Sequence, residues 1–286
     1  MIGVILADPR VSQSRRGDIF MLTLNYHFIE RCNANCKFCF ARDLGCSYVP
    51  SLDEQLLELK EALKEPLITK VSFVGGEPTL NPNLAPLARY CKSRGLTTML
   101  ITNGSRLTTK WFEEHQGLFD WIGLSVDSFN EDTNKSIGRP HVDYCRVIED
   151  ILHNQIKLKL NTVVCRLNKD EIFPDIVRKA DRWKIFQVFL VDNAGQKADT
   201  KNLVVTGKEF RDFLAKNNKT VITAEDNDDF RGSYLMMNPK GQLFNDTYGF
   251  LQYSEKVSEI GIQEAMKRVE FNIERYKKRG GVYNWS

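Results

Sequence analysis

The sequence predicts an α/β fold, a partial (β/α)6 barrel with a C-terminal extension that closes the barrel mouth. Three observations carry this. Between Leu22 and Val191, six short apolar runs alternate with amphipathic helical segments, the rhythm of a parallel sheet with right-handed crossovers. The loop signals most suited to chemistry all fall at the carboxyl ends of those runs, where ligands bind in such folds. After about Asp192 the rhythm fades. The chain therefore divides into an irregular leader (1–18), the barrel (19–192) and the extension (193–286).

The elements follow in order. Leu22 to Ile29 reads as the first strand, running into a cysteine-rich loop. A helix spans Asp53 to Lys64, with Ser51 or Asp53 as its cap. Lys70 to Val74 is the second strand, followed by a helix from Asn83 to about Ser93. Thr97 to Thr102 is the third and ends in Asn103-Gly104. Trp121 to Val126 is the fourth and ends in Asp127-Ser128. A helix over Asp143 to Asn154 precedes the fifth strand, Lys157 to Val164. A helix over Asp170 to Arg182 precedes the sixth, Lys184 to Val191. In the extension, Gly207 to Asn217 reads as helix, Tyr234 to Asp246 as a hairpin around Asn238-Pro239-Lys240-Gly241, and Gly261 to Arg279 as one helix. The tail from Lys278 to Ser286, rich in glycine and aromatics, is expected to fold back over the mouth.

Composition narrows the class. Apolar content is 42%, charged content 27% and net charge +3, ordinary for a folded protein and too weakly basic to imply direct nucleic-acid binding. The N-terminus has no apolar stretch of signal-peptide type, and no run approaches the roughly 18 apolar residues of a membrane span. A cytoplasmic protein without a membrane partner is expected. Cys91, Cys145 and Cys165 read as small buried hydrophobes, and the scattered cysteines as reduced.

Cys32, Cys36 and Cys39 form a C-x3-C-x2-C run followed by Phe40. Thiolates are the usual ligands of iron–sulfur clusters, and three without a fourth would leave one metal position open for chemistry. The alternative is zinc, which wants four ligands. The chain has four histidines, and none is paired with a second C-x-x-C half. Gly75-Gly76-Glu77-Pro78 closes the second strand, where absent Cβ atoms suit close approach to a ligand. Lys159 with Asn161, Arg182 with Lys184, and Lys70 with Ser72 each share one face of a strand, because side chains two apart point the same way. Cations facing into a barrel are costly unless they meet a partner, so the set suggests a polyanion such as a triphosphate. The alternative is that these lysines face solvent or pair with helix carboxylates.

The cysteine spacing and the Gly-Gly-Glu-Pro turn resemble those of the radical S-adenosylmethionine enzymes. From Leu24 to Ser286 the chain is similar, more narrowly, to viperin and its prokaryotic relatives. The matching pieces are Cys36-Lys37-Phe38-Cys39-Phe40, Asn103-Gly104-Ser105, Asp127-Ser128-Phe129, Ile137-Gly138-Arg139, Lys159-Leu160-Asn161, Arg182-Trp183-Lys184-Ile185-Phe186-Gln187, Ser233-Tyr234-Leu235, and Lys278-Arg279-Gly280-Gly281 with Trp285-Ser286. The residues before the barrel are not expected to form an amphipathic membrane-binding leader of the kind the animal proteins carry.

The resemblance implies a 4Fe–4S cluster on Cys32, Cys36 and Cys39, with S-adenosylmethionine held by Phe40, Gly75, Gly76, Glu77, Asn103, Ser125 and Arg139. It implies a ribonucleoside triphosphate (CTP, UTP or GTP) on Lys70, Ser72, Lys159, Asn161, Arg182, Lys184 and Arg279, with the extension completing the nucleotide site. Tyr234 would donate a proton to the leaving hydroxyl. The implied reaction is dehydration to a 3′-deoxy-3′,4′-didehydro nucleotide, an antiviral chain terminator. An electron donor such as flavodoxin or ferredoxin is implied as partner. Residues 238–257 depart from the animal pattern and are expected to line the base pocket; Val74 is apolar where the animal form carries a hydroxyl. Two alternatives stay open: another radical enzyme of this type acting on a different nucleotide or a peptide, and a non-catalytic iron–sulfur sensor.

Overall fold

The first six strands form where alternation and β-branched content put them, and they pair in the order in which the chain makes them. In the computed structural model, which describes residues 21–42, 44–190, 198–218 and 222–279, these are β1 (Leu22–His27), β2 (Ile68–Val74), β3 (Thr97–Thr102), β4 (Trp121–Ser125), β5 (Lys157–Val164) and β6 (Arg182–Gln187). All five pairings are parallel. The helices between them are α1 (Leu52–Ala62), α2 (Leu84–Ser93), α3 (Thr109–Glu114), α4 (Glu131–Ile137) and α5 (Tyr144–His153). Ser51, not Asp53, caps α1, through a reciprocal box with Glu54.

The extension lengthens the sheet at both edges. It contributes α6 (Gly207–Lys216), β7 (Ile222–Glu225), α7 (Asn227–Phe230), β8 (Leu235–Met237), β9 (Gln242–Asn245), β10 (Gln252–Lys256), α8 (Val257–Ile260), α9 (Ile262–Arg268) and α10 (Ile273–Lys278). β7 joins β6 in parallel, while β8 joins β1 in parallel and leads the antiparallel β9 and β10. The result is one ten-stranded sheet ordered β10-β9-β8-β1-β2-β3-β4-β5-β6-β7. The expected hairpin is β8–β9. β7 and β10 escape a reading of the sequence because they are short and mostly polar, Ile-Thr-Ala-Glu and Gln-Tyr-Ser-Glu-Lys.

Several expectations need correction. In place of a helix over Asp170 to Arg182 there is one 3-10 turn, Asp175–Lys179, entered through extended Pro174. Proline disfavours helix in the residue before it and cannot donate in a helix interior. The sixth strand starts at Arg182 and ends at Gln187. Gly261 to Arg279 breaks into α9 and α10 because Glu270 takes a positive φ of 51° and the Asn272 side chain caps a new helix at Arg275 N. Cys145 is exposed, since α5 buries Tyr144, Val147, Ile148 and Ile151 instead, whereas Cys91 and Cys165 are fully buried as expected. Residues 1–18 and the tail 280–286 lie outside the described residues.

Packing on the outer face fixes the strands that carry the site. Trp183 of β6 is completely buried, with its ring 5.1 Å from that of Phe173, which in turn meets Phe213 of α6 at 5.7 Å. Burying each such side chain contributes about 1.5–3 kcal/mol. Trp183 Nε1 donates to Thr162 Oγ1 at 2.9 Å, and that hydroxyl donates to Val126 O at 2.6 Å, so β6, β5 and the end of β4 hold one register. The alternate residues of β5, Lys159, Asn161 and Val163, are thereby turned inward.

Candidate active site

The inward faces enclose a cavity of about 490 Å³ at the carboxyl ends of the strands. Cys32, Cys36 and Cys39 line one wall of it with Phe40 beside them. Their loop is held by backbone atoms on two sides. Gly76 N donates to Ile29 O at 2.6 Å and Glu77 N to Arg31 O at 2.9 Å. On the other side, Asn35 N donates to Gly138 O at 2.8 Å and Lys37 N to Ile137 O at 2.9 Å. A Cβ on Gly76 would stand 2.2 Å from Arg31 O; one on Gly138, which has a φ of 97°, would stand 2.3 Å from Asn35 O. The tight glycine approach in the Gly75-Gly76 turn is therefore to the cysteine loop itself, where the sequence suggested a ligand.

Glu77 lies at the centre of the adjoining wall. Its buried carboxylate accepts from Thr79 Oγ1 and Thr102 Oγ1, each at 2.7 Å, and from Asn103 N at 2.9 Å. Asn103 Nδ2 donates to Asn33 Oδ1 at 2.9 Å, tying the end of β3 to the cysteine loop. Opposite, Arg139 Nε pairs with the fully buried Asp127 at 2.6 Å. Burial is the largest influence and opposes the Arg139 charge, but Asp127, by charge and hydrogen bond, together with Cys36 and Tyr144, outweighs it and holds the guanidinium protonated. Gly75, Gly76, Glu77, Asn103, Ser125 and Arg139 all line the cavity with Phe40, so the seven residues expected around S-adenosylmethionine are brought together.

The seven nucleotide candidates divide. Lys159 and Asn161 line the cavity, while Lys70, Ser72, Arg182, Lys184 and Arg279 do not. Lys70, Lys159 and Lys184 are each the third residue of their strand and Arg182 the first, so they sit deeper than the cysteines. Burial and the neighbouring cations pull Lys70 and Lys159 well below the usual lysine range. Burial pulls Lys184 down to about 7. Tyr234 lines the cavity; its hydroxyl accepts from Lys184 Nζ at 2.6 Å and donates to Glu225 Oε2 at 2.5 Å. None of residues 238–257, expected at a base pocket, lines the cavity.

Sequence reading missed Glu225, Asn25 and His27, all of which line the cavity. Glu225 was hidden in the short polar β7. Asn25 and His27 share the inward face of β1, a signal available from period-two alternation. Burial lowers the His27 ring to about 3, so it is a neutral imidazole, set edge-on to Phe244 with centroids 5.1 Å apart.

The cysteines fit an iron–sulfur cluster by their chemistry: three thiols on one short loop, facing a cavity, with the loop's closest neighbours reduced to glycine. Burial pushes Cys39 up to about 11 and raises Cys32 and Cys36, so these groups hold protons until a metal displaces them. Among the described residues, no His, Cys, Asp and Glu side chains gather as a ready-made single-ion site.

Known proteins resemble this chain in sequence and in fold. The Radical SAM superfamily matches residues 26–180. An S-adenosylmethionine-dependent nucleotide dehydratase of Flammeovirga pacifica is 38% identical over 285 residues, spanning 94% of this chain and 98% of that one. Another, from a Thermoplasmatales archaeon, is 32% identical over 271 residues, spanning 91% and 95%. Among solved structures, Streptococcus suis SuiB bound to S-adenosylmethionine aligns with a TM-score of 0.64 at 18% identity, over 91% of this chain and 68% of that one. The enzyme anSMEcpe with bound AdoMet aligns with a TM-score of 0.60 at 19% identity, over 89% and 83%. Those two likenesses concern the fold alone. Matching across nearly its whole length as well as in its cysteine loop, the chain belongs to the radical SAM superfamily and, within it, to the S-adenosylmethionine-dependent nucleotide dehydratases.

Proposed function

We propose that this protein dehydrates a ribonucleoside triphosphate (CTP, UTP or GTP) to its 3′-deoxy-3′,4′-didehydro form, a terminator of viral chain synthesis. The observation that carries the reading is the juxtaposition in one cavity of the three-cysteine wall with Lys159, Tyr234 and, directly behind them, further buried cations. The nucleotide loses the elements of one water: its 4′ hydrogen atom passes to 5′-deoxyadenosine, its 3′ hydroxyl leaves as water with a proton from the protein, and the electron donor supplies two electrons, one for cleavage of S-adenosylmethionine and one for closure of the 3′,4′ double bond.

Cys32, Cys36 and Cys39 would hold the cluster, which together with S-adenosylmethionine would supply radical chemistry able to take a hydrogen atom from the substrate. The chain's own contribution is position and charge. The backbone of Gly75, Gly76 and Asn103, with Ser125 and Arg139, orients S-adenosylmethionine. Lys159 and Asn161 bind the nucleotide on the opposite wall, and Lys70, Arg182, Lys184 and Arg279 compensate its phosphates. Tyr234, hydrogen-bonded to Lys184, delivers the proton that leaves with the hydroxyl. An electron donor such as flavodoxin or ferredoxin is the second partner. Among the described residues no helix is long and apolar enough to cross a membrane, and a cytoplasmic location is part of the proposal.

The test is anaerobic turnover of the cluster-loaded protein with reductant, S-adenosylmethionine and each triphosphate in turn, read by mass spectrometry. A nucleotide lighter by one water, formed with 5′-deoxyadenosine, is the expected result and identifies the base. 5′-Deoxyadenosine without an altered nucleotide would overturn the substrate assignment.

A further inference from the structure

Glu225, the last residue of β7, is a buried carboxylate set among cations, 1% exposed at its side chain. It pairs with Lys184 Nζ, and it meets Arg279 Nη1 at 3.5 Å. It accepts the Tyr234 hydroxyl at 2.5 Å. Arg279 lies over the Tyr234 ring, with Cζ 3.7 Å from the centroid, and its Nε donates to Ser233 O at 2.8 Å. Burial alone would raise the Glu225 carboxyl, yet Lys184 and Arg279 outweigh burial and keep it ionised.

The arrangement of these four side chains around the cavity is informative. Glu225 and Tyr234 line it, whereas Lys184 and Arg279, each 6% exposed, do not. A carboxylate and a phenol thus stand between the cavity and two of the cations expected to take a polyanion. A fixed anion there neutralises a cluster that would otherwise be strongly self-repelling in a low-dielectric interior. It also accepts from the same donors that a phosphoryl oxygen would use.

We propose that Glu225 is a positioning residue acting as a resident counter-anion: it holds Lys184 and Arg279 behind the cavity wall in the free protein, and the substrate's triphosphate takes those cations over on binding. After the exchange the carboxylate fixes the Tyr234 phenol beside the ribose until the leaving hydroxyl takes its proton. The inference rests on the nucleotide reading above. It adds that phosphate binding is a competition with an internal carboxylate, so affinity is spent on setting the position of Tyr234.

The test uses cluster-loaded protein under anaerobic conditions and calorimetric titration with inorganic tripolyphosphate, with S-adenosylmethionine as the control ligand. Glu225→Gln removes the competing charge at constant shape. It is expected to bind tripolyphosphate about tenfold tighter, the size of effect that loss of one partly screened charge produces. S-adenosylmethionine affinity should stay within about twofold. In turnover, KM for the nucleotide and kcat should fall together, because binding improves while Tyr234 loses its anchor. A residue with only a structural role would weaken both ligands instead. Glu225→Asp keeps the charge on a shorter stem that cannot hold Lys184 and Tyr234 together; it should bind tripolyphosphate with an affinity between those of the wild type and E225Q, and it serves if E225Q does not fold. Tripolyphosphate binding by either variant that is no tighter than that of the wild type would overturn the inference and leave the nucleotide reading standing. Failure of the wild type itself to bind tripolyphosphate would overturn both.

Discussion

The loop carrying Cys32, Cys36 and Cys39 is held through backbone atoms, whereas the cation cluster deeper in the same cavity is held through side chains. Around the loop, four backbone hydrogen bonds from two glycine-containing turns set its path, and the cysteine side chains are left for a ligand. In the deeper cluster, Lys184, Tyr234, Glu225 and Arg279 come from β6, the residue before β8, the end of β7 and the residue after α10, and each is held mainly by the others. A backbone scaffold tolerates side-chain replacement but not an added Cβ. A side-chain network tolerates backbone change but redistributes its charge whenever one member is altered.

The largest expected effect separates the two regions outright. Cys36→Ala should abolish iron incorporation and turnover, read as iron content and product, while leaving tripolyphosphate binding intact. Loss of both would mean that the regions are not independent. Next comes Gly76→Ala, whose Cβ would stand 2.2 Å from Arg31 O and 2.3 Å from Glu30 O. Denaturant unfolding should show a loss of roughly 2–4 kcal/mol, as expected when backbone must move in a packed interior; a loss below about 0.5 kcal/mol would show that the loop is not held there.

On the charged side, Lys159→Ala should weaken triphosphate binding about tenfold while S-adenosylmethionine binding changes much less. Equal loss of both would break the assignment of this wall to the nucleotide. The pH dependence sharpens the same point. Lys184 is lowered to about 7 in the folded protein, below the ordinary lysine value, so the unfolded chain binds the extra proton between about pH 7 and pH 10.5. This group therefore adds stability as pH rises through that window. Binding goes the other way: Lys184 loses its proton above about pH 7, so KM for the triphosphate should rise several-fold between about pH 6.5 and pH 8.5. KM for S-adenosylmethionine should not follow it; a parallel rise would point to a group shared by both sites. The smallest effect is the control. Cys145→Ser, on the exposed face of α5, should change stability by less than about 0.5 kcal/mol.

The degree to which each region is legible in the sequence follows the same division. The cysteine wall is a local pattern, since its ligands lie within eight residues; that Gly75-Gly76 and Gly138 pack against this loop emerged only in the fold. Period-two alternation places Lys159 and Asn161 on one inward face, and the structure agrees. The same rule pairs Lys184 with Arg182, yet it does not reveal that Glu225 and Tyr234 stand between Lys184 and the cavity. Glu225 lies on a four-residue strand without an apolar run, and only its pairing beside β6 brings it to Lys184. Pro174 and Asn272 each ended a helix reading where local chemistry outweighed periodicity.

By itself, the sequence determined the features that near neighbours along the chain dictate: six parallel strands in order, ligand-bearing loops at their carboxyl ends, and three thiols in one short loop. These depend on alternation, sterics and donor type, which act over a few residues. Only the tertiary structure decided which cations face the cavity, which carboxylate neutralises them, and that the extension lengthens the sheet at both edges. Those outcomes depend on charges brought together from distant segments into a low-dielectric interior, where each group's state is set by partners that no local pattern names.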